Sequence, residues 1–441
     1  MEHDLKAAAR RIFQQTLAAI DIHTAIARRL ERDGSRICTG AGGRASEIDL
    51  RDFREVVVIA LGKASIAMAE GFQAVLAPDF KVEGILVSPA APAQTWPGWK
   101  NFVGGHPLPT EESFAAGRAI LERLARCDER SLVVFLISGG GSSMVEAPLD
   151  AEMGLEDFRA LHSALVTCGG PIEEINVVRK HLSATKGGRL AAAASRSMKL
   201  TFAVSDVPSG QESALASGPT LPDPSTIADA ERVVNERGLL AKLPVGVQNI
   251  FSGRKLVETP KENDPAFERA VFNVLLSEHD LVHRAHYCCE AQGIVCMADE
   301  MTDGWPLAKA ADELLAQLAA LQAEHPGKRV AILSGGELSC PVTGDGVGGR
   351  NSAFVLTCVP KIAGKKIVVL SAGTDGIDGN SPAAGAVADG ESLARAELVD
   401  MIWEGHLERS DAYNFFAKLE DAIVTGPTGN NLRDLRVLIS G

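Results

Sequence analysis

The chain has 441 residues, a length for two or three domains, and 46% of them are hydrophobic, ample for packed cores. The formal net charge is −13 and aromatic residues make up only 5%. These exclude a base-stacking platform for nucleic acid and disfavour nonspecific binding to DNA or anionic membrane, though not a small anion, which local Lys and Arg can still receive. The eight cysteines form no C-x-x-C pair and no Cys/His zinc spacing. They read as reduced thiols of a cytoplasmic protein. Charges spread through MEHDLKAAARRIFQQTLAAI predict an amphipathic helix rather than a signal peptide, and no run reaches the ~20 apolar residues of a membrane span.

In chain order, short apolar runs alternate with helical patterns. VVVIAL (56–61) precedes a helix from Ala64 to Leu76. GILVS (84–88) precedes, after a Pro/Gly-rich loop, a helix near 112–126. VVFLIS (133–138) leads into GGGSS and a helix near 153–168. The segment 174–195 reads as one helix, and LTFAVSDV (200–207) as another buried strand. The theme resumes with VFNVLLS (271–277), helices near 279–292 and 306–324, VAILSGGE (330–337), a helix near 349–359 and IVVLSAGTDG (367–376). Apolar strands alternating with helices predict an α/β fold whose sheets, parallel or mixed, are flanked by helices. The polar stretch 241–268, holding Pro244, Gly246, Gly253, Pro260 and Pro265, predicts a crossover between an N-terminal domain, 1–240, and a C-terminal one, 269–441.

Such folds place their chemistry where strand tips feed helix starts. Five places fit. Lys63, after VVVIAL, faces the unfavourable end of a helix dipole unless an anion joins it; the bland alternative is a solvated lysine. The segment is not a Walker A loop, because Val57 and Ala64 stand where Gly and Ser/Thr are required. Ser138, Gly139, Gly140, Gly141, Ser142 and Ser143 let backbone N–H groups approach a phosphate or carboxylate. With Met144 in place of the final glycine they are not a G-x-S-x-G elbow. Asn176, Arg179, Ser183 and Lys186 recur at helical spacing and predict one cationic face, for an anionic substrate or for solvent. Asp206 follows a strand and reads as a proton acceptor, a Mg²⁺ ligand or a turn cap. The last place is a C-terminal set: Gly335 and Glu337 in LSGGE, Arg350 and Asn351 in GVGGRN, Asp375 and Asp378 in GTDGIDG, and Asn431 in TGPTGNN. Paired carboxylates in one Gly-rich loop suit Mg²⁺ or two Asx turns.

GDGVGG (344–349) satisfies G-x-G-x-x-G formally, but about ten residues separate it from the preceding strand, so the strand–turn–helix context is missing. His279, His283 and His286 share one helix face, as metal ligands or as a solvated stripe. His106 in GGHPLP stays open.

The motifs LGKAS, GGHPLP, SGGGSS, INVVRKHLSATKGGRLA, SDV, ASGPTLPDPST, LSGGE, GVGGRN, GTDGIDG and TGPTGNN run in one order from residue 61 to 431. In this the chain resembles the class II glycerate kinases, the glycerate 2-kinase family with an N-terminal DUF4147 region and a C-terminal MOFRL region. The resemblance implies a Rossmann-like N-terminal domain and a smaller C-terminal α/β domain with the MOFRL region near 328–435. A final helix or tail is expected to return to the first domain. It also implies ATP- and Mg²⁺-dependent phosphorylation of D-glycerate, most often at the 2-hydroxyl, by a cytoplasmic enzyme with small-molecule partners, as monomer or homodimer. Lys63, Asp206 and Arg350 are the expected catalytic residues. Residues 138–143 with Asn176, Arg179 and Lys186 are expected to take substrate or phosphate. Gly335, Glu337, Asn351, Asp375, Asp378 and Asn431 are expected to meet the nucleotide, and Asp206 and Asp375 the metal. The chain departs from the family pattern at Pro208-Ser209-Gly210-Gln211, at Ser352 and at Ser277-Glu278-His279. An NAD(P)H-dependent hydroxypyruvate reductase and a kinase of a related hydroxy acid are the alternatives.

Overall fold

The computed structural model describes residues 5–39, 46–76, 80–150, 152–208 and 210–441; Ser209 of the departure above lies outside them. The chain divides into two compact units, Ile22–Leu275 and a second built from Met1–Asp21 with Leu276–Gly441.

The first unit is built on a six-stranded sheet: β1 (Glu55–Leu61), β2 (Val82–Ser88), β3 (Trp99–Val103), β4 (Ser131–Ser138), β5 (Met198–Val204) and β6 (Ala270–Leu276). Their order is β3-β2-β1-β4-β5-β6. The pairs β1–β2, β2–β3, β1–β4 and β4–β5 are parallel. Every residue of β4 is buried, and every residue of β1 except Glu55, which is why these strands read as unbroken apolar runs. On one face Val57, Ile59, Val133 and Phe135 pack on Ala116, Ile120 and Leu124 of the helix Glu111–Leu124. The order reverses at β1 and β4: successive strands run outward from β1 to one side and from β4 to the other. That reversal opens a crevice at the strand tips.

A second core in this unit is helical. Phe158, Leu161 and Leu165 of Leu155–Val166 meet Ile175, Val178 and Leu182 of Ile172–Leu182, with Val247, Ile250 and Phe251 of Val245–Ser252. The expected crossover 241–268 therefore carries a packed helix. Its Pro244 and Gly253 are the helix ends, and the Val247/Ile250/Phe251 spacing is its buried face.

The second unit has a mixed sheet of β7 (Val295–Asp299), β8 (Val330–Ser334), β9 (Ile367–Gly373), β10 (Gly385–Asp389), β11 (Ala422–Ile423) and β12 (Asp434–Ser440), ordered β7-β8-β12-β9-β10-β11. Among the described residues only β7–β8 of its pairs is parallel; β12 runs antiparallel to both β8 and β9. The last element is thus a central strand of its own unit and not a returning helix. The N-terminal helix Leu5–Ala19 also belongs here: it contacts β9, β12 and the helix Glu278–Glu290, and Lys6 pairs with Asp389 and Asp421 at 2.9 and 3.0 Å. The division consequently differs from the expected 1–240 and 269–441. Among the described residues no helix is long and apolar enough to cross a membrane.

Candidate active site

The site of the first unit forms where β1 and β4 end. Gly62 has φ +111, and a side chain there would collide with the Ser138 carbonyl and hydroxyl, so only glycine lets the two tips close up. Ser138 Oγ then accepts from the Ala64 amide at 2.9 Å, and the Lys63 amide donates to the Gly139 carbonyl at 2.8 Å. Gly140 has φ +82; a Cβ there would lie 3.2 Å from each of Lys63 Cγ, His106 Cδ2 and Met144 Cε. The lysine stem and the histidine ring therefore flank a bare glycine, followed by the single helical turn Gly141–Met144. First-turn N–H groups have no acceptor within their own helix.

These loops border a cavity of about 250 Å³ whose wall includes Gly139, Gly140, Ser142, Ser143, Asn176, Arg179, Lys186 and Asp206. The structure thus brings together most of the residues expected for the acceptor, and Lys63 lies alongside through its contact with Gly140. They do not share a helix face as expected. The helix ends at Leu182, where Ser183 turns extended at φ −108 and ψ 137, and Lys186 reaches the cavity from the loop. Ser183 turns away to donate to Glu146.

Charge within the cavity is unevenly compensated. Lys186 and Glu146 form an ion pair at 2.5 Å with side chains 2% and 7% exposed, and burial pushes the lysine down from its usual range. Arg179 is held differently: Nη2 donates to His162 Nδ1 at 2.7 Å. Burial, then the charges of Arg179, Lys186 and His106, depresses His162 to about 4. A neutral imidazole orients the guanidinium without cancelling its charge; Glu146 acts on it only through space, and burial outweighs that, so the guanidinium has no hydrogen-bonded carboxylate and can turn to a ligand anion. Also in the wall, Ser142 Oγ and Ser217 Oγ lie 2.8 Å apart, and Ser217 donates to Asn176 Oδ1 at 3.3 Å. Ala216 and Ser217 have φ +49 and +61. Such strain costs roughly 1–3 kcal/mol per residue and gathers at ligand sites. Glu146, His162 and Ser217 escaped the sequence reading; only the ASGP segment, already among the family motifs, marked one of them.

His162 gives a pH signature. The unfolded chain, with its histidine near 6.5, binds a proton that the folded one refuses until about 4. Stability from this group is complete above that upper value and declines as pH falls toward the lower. Denaturant midpoints measured across this window should slope for the wild type and flatten for His162→Gln; equal slopes would contradict the assignment.

The second unit carries the C-terminal set. Arg350 donates to Asp434 through Nε at 2.5 Å and Nη2 at 3.1 Å, and pairs with Glu337 at 3.0 Å; the carboxylates hold it above its ordinary range. Asp378 is 2% exposed and accepts from the Asn351 and Ser352 amides at 2.9 and 2.8 Å. It caps the helix Arg350–Ile362, and burial raises its pKa. Asn351 is also buried and accepts from Ser371 at 2.6 Å. Asp375 makes the Asx turn to the Ile377 amide at 3.0 Å and its carbonyl accepts from Thr428. Asp378 and Asn351, expected at the nucleotide, thus hold their own fold. Gly335 leaves room for Glu278, which with Asp303 flanks Arg433 at 2.6 and 2.7 Å, and Asn431 is buried. Among the described residues no three His, Cys, Asp or Glu gather as a metal-holding group. His279 and His283 are exposed, their rings stacked 6.3 Å apart.

Fold and pocket define a two-unit α/β protein with a small cation-bearing site at a sheet's switch point. Residues 8–252 match the domain of unknown function DUF4147, and residues 330–434 match the MOFRL family. The D-glycerate 2-kinase of Thermotoga maritima is 33% identical over 386 residues, covering 86% of this chain and 89% of that protein. An Agrobacterium vitis protein that carries a hydroxypyruvate reductase name is 36% identical over 87% of each chain. The crystal structure of the Thermotoga maritima glycerate kinase superposes with TM-score 0.82 at 29% identity over 99% of both chains. The chain belongs to this DUF4147–MOFRL family, to which glycerate 2-kinases belong.

Proposed function

We propose that the chain is a cytoplasmic glycerate 2-kinase that moves the γ-phosphoryl group of ATP to the 2-hydroxyl of D-glycerate, giving 2-phosphoglycerate. The observation that carries this is the small cavity at the β1–β4 switch point, where Arg179, hydrogen-bonded to a histidine and not to a carboxylate, stands beside a glycine loop and Lys63. A three-carbon hydroxy acid fits such a space; its carboxylate meets Arg179 and the amides of residues 141–143. Phosphoryl transfer requires positioning and charge neutralisation more than covalent help. Lys63 is assigned to the oxygens of the transferring group and Asp206 orients the hydroxyl and takes its proton, while Arg350 is assigned to phosphate oxygens of ATP. Mg²⁺ neutralises triphosphate charge when bound, and Asp206 and Asp375 are the carboxylates of suitable donor type.

The reductase reading fails on geometry. β8 ends at Ser334 and the GDGVGG motif begins only at Gly344. Gly349 is packed against the Asp378 carboxylate, so that helix start already holds an anion where a dinucleotide would place pyrophosphate.

The test is ADP release with D-glycerate, L-glycerate, hydroxypyruvate and tartronate, with and without Mg²⁺, followed by phosphorus NMR of the product. The expected outcome is Mg²⁺-dependent ADP release with D-glycerate and a 2-phosphoglycerate signal. Loss of NADH absorbance with hydroxypyruvate and no ADP would overturn it.

A further inference from the structure

The second unit contains a cavity that, Arg350 apart, holds none of the residues assigned above. It measures about 730 Å³ and is walled by Leu307, Leu338, Val342 and Leu407, with Glu408 and Arg350 also in its lining. We infer that this cavity takes the adenine and ribose of ATP, so that the nucleoside is held by the C-terminal unit and not by the Rossmann-like one. The inference rests on the kinase reading above.

Size separates the two cavities. Pockets that bury a drug-sized ligand run about 300–1,000 Å³. The first cavity, near 250 Å³, falls below that range and has room for the acid; the second lies well inside it. Wall chemistry agrees. A base is a flat apolar plate, and apolar side chains with a few polar groups are what such pockets present. The adjoining helix N-terminus is taken by Asp378, so the cavity offers apolar walls rather than a second phosphate cradle. Val342 is 83% exposed, an apolar side chain at the rim that a bound base would cover. Glu408 is an acceptor of the kind that holds ribose hydroxyls. The decisive link is Arg350. It lines this cavity, and Asp434 and Glu337 fix its guanidinium, so the residue assigned to the phosphate oxygens also borders the proposed nucleoside end.

Two measurements on the full chain test this. Ala308 is exposed and on the cavity wall, so Ala308→Trp fills the space from the rim without disturbing the core. The KM for ATP should rise about tenfold or more while the KM for D-glycerate stays near wild type. Independently, Cys340 lines the cavity, and burial pushes its thiol up, so iodoacetamide is applied at raised pH. Site-resolved mass spectrometry should show ATP slowing alkylation of Cys340, with D-glycerate leaving it unchanged and with Cys127 and Cys168 of the first unit unaffected by ATP. Wild-type chain that turns over normally but shows no ATP protection of Cys340, together with an unchanged ATP KM in the variant, overturns the nucleoside assignment and leaves the kinase reading standing. Absence of ATP-dependent turnover in the wild type overturns the kinase reading itself.

Discussion

Lys63→Ala is expected to lower kcat by about 10²–10³-fold with the protein still folded, the loss seen when a charge-stabilising donor is removed from a reacting oxyanion. The residue sits where β1 stops, and its amide is tied to the Gly139 carbonyl at 2.8 Å. Its stem passes Gly140 at contact distance. A lysine so placed has its backbone fixed at the strand tip and its stem packed along the glycine loop. The ammonium supplies a point charge that grows in value as negative charge shifts during transfer, so the loss should fall on kcat and kcat/KM together. Lys63→Met separates charge from packing: it keeps most of the apolar stem and should be as slow as the alanine variant. Turnover near wild type in either variant, with an unchanged melting temperature, would remove Lys63 from the catalytic set.

What the sequence revealed and what it hid follow from the same physics. β1, β2, β4 and β5 were legible because a parallel sheet covered on both faces demands apolar residues at nearly every position. β3, reading WKNFV, was hidden: it is an edge strand half open to solvent, and a Pro/Gly stretch precedes it. β12 was hidden by Arg433, Asp434 and Arg436. Arg436 looks like a surface residue, yet it is fully buried, donating to Ser334 Oγ and to the Gly336 carbonyl. The amphipathic N-terminal helix announced a buried face but not its partner, because periodicity records that a stripe is covered and not by what. Within the site, glycines and consecutive charges pointed to the loops. Glu146 and His162 carried no local signal: each matters only through a residue elsewhere in sequence, Lys186 and Arg179, that folding brings to it.

Glu146→Gln is the other change expected to have a large effect, this time on stability. The carboxylate is enclosed. Lys186 Nζ lies 2.5 Å from Oε2, while Oε1 accepts from the Ala147 amide at 3.0 Å and from Ser183. Lys186 Nζ also reaches the Val145 carbonyl at 3.4 Å. Removing one member of a buried pair leaves the other as an uncompensated charge and costs about 3–5 kcal/mol. For a unit of this size that corresponds to a fall in Tm on the order of 10 °C. Replacing both partners, Glu146→Leu with Lys186→Met, removes the stranded charge, and such exchanges are often neutral or stabilising by about 1–4 kcal/mol. The double variant should therefore melt near the wild type although the single variant does not. Both side chains also line the acceptor cavity, so its activity discriminates further. A stable double variant that remains inactive assigns the pair to ligand binding, whereas recovery of turnover along with stability would reduce it to scaffolding. If the single variant melts with the wild type, the pair is not buried as described, and the argument that Glu146 is committed to Lys186 falls with it.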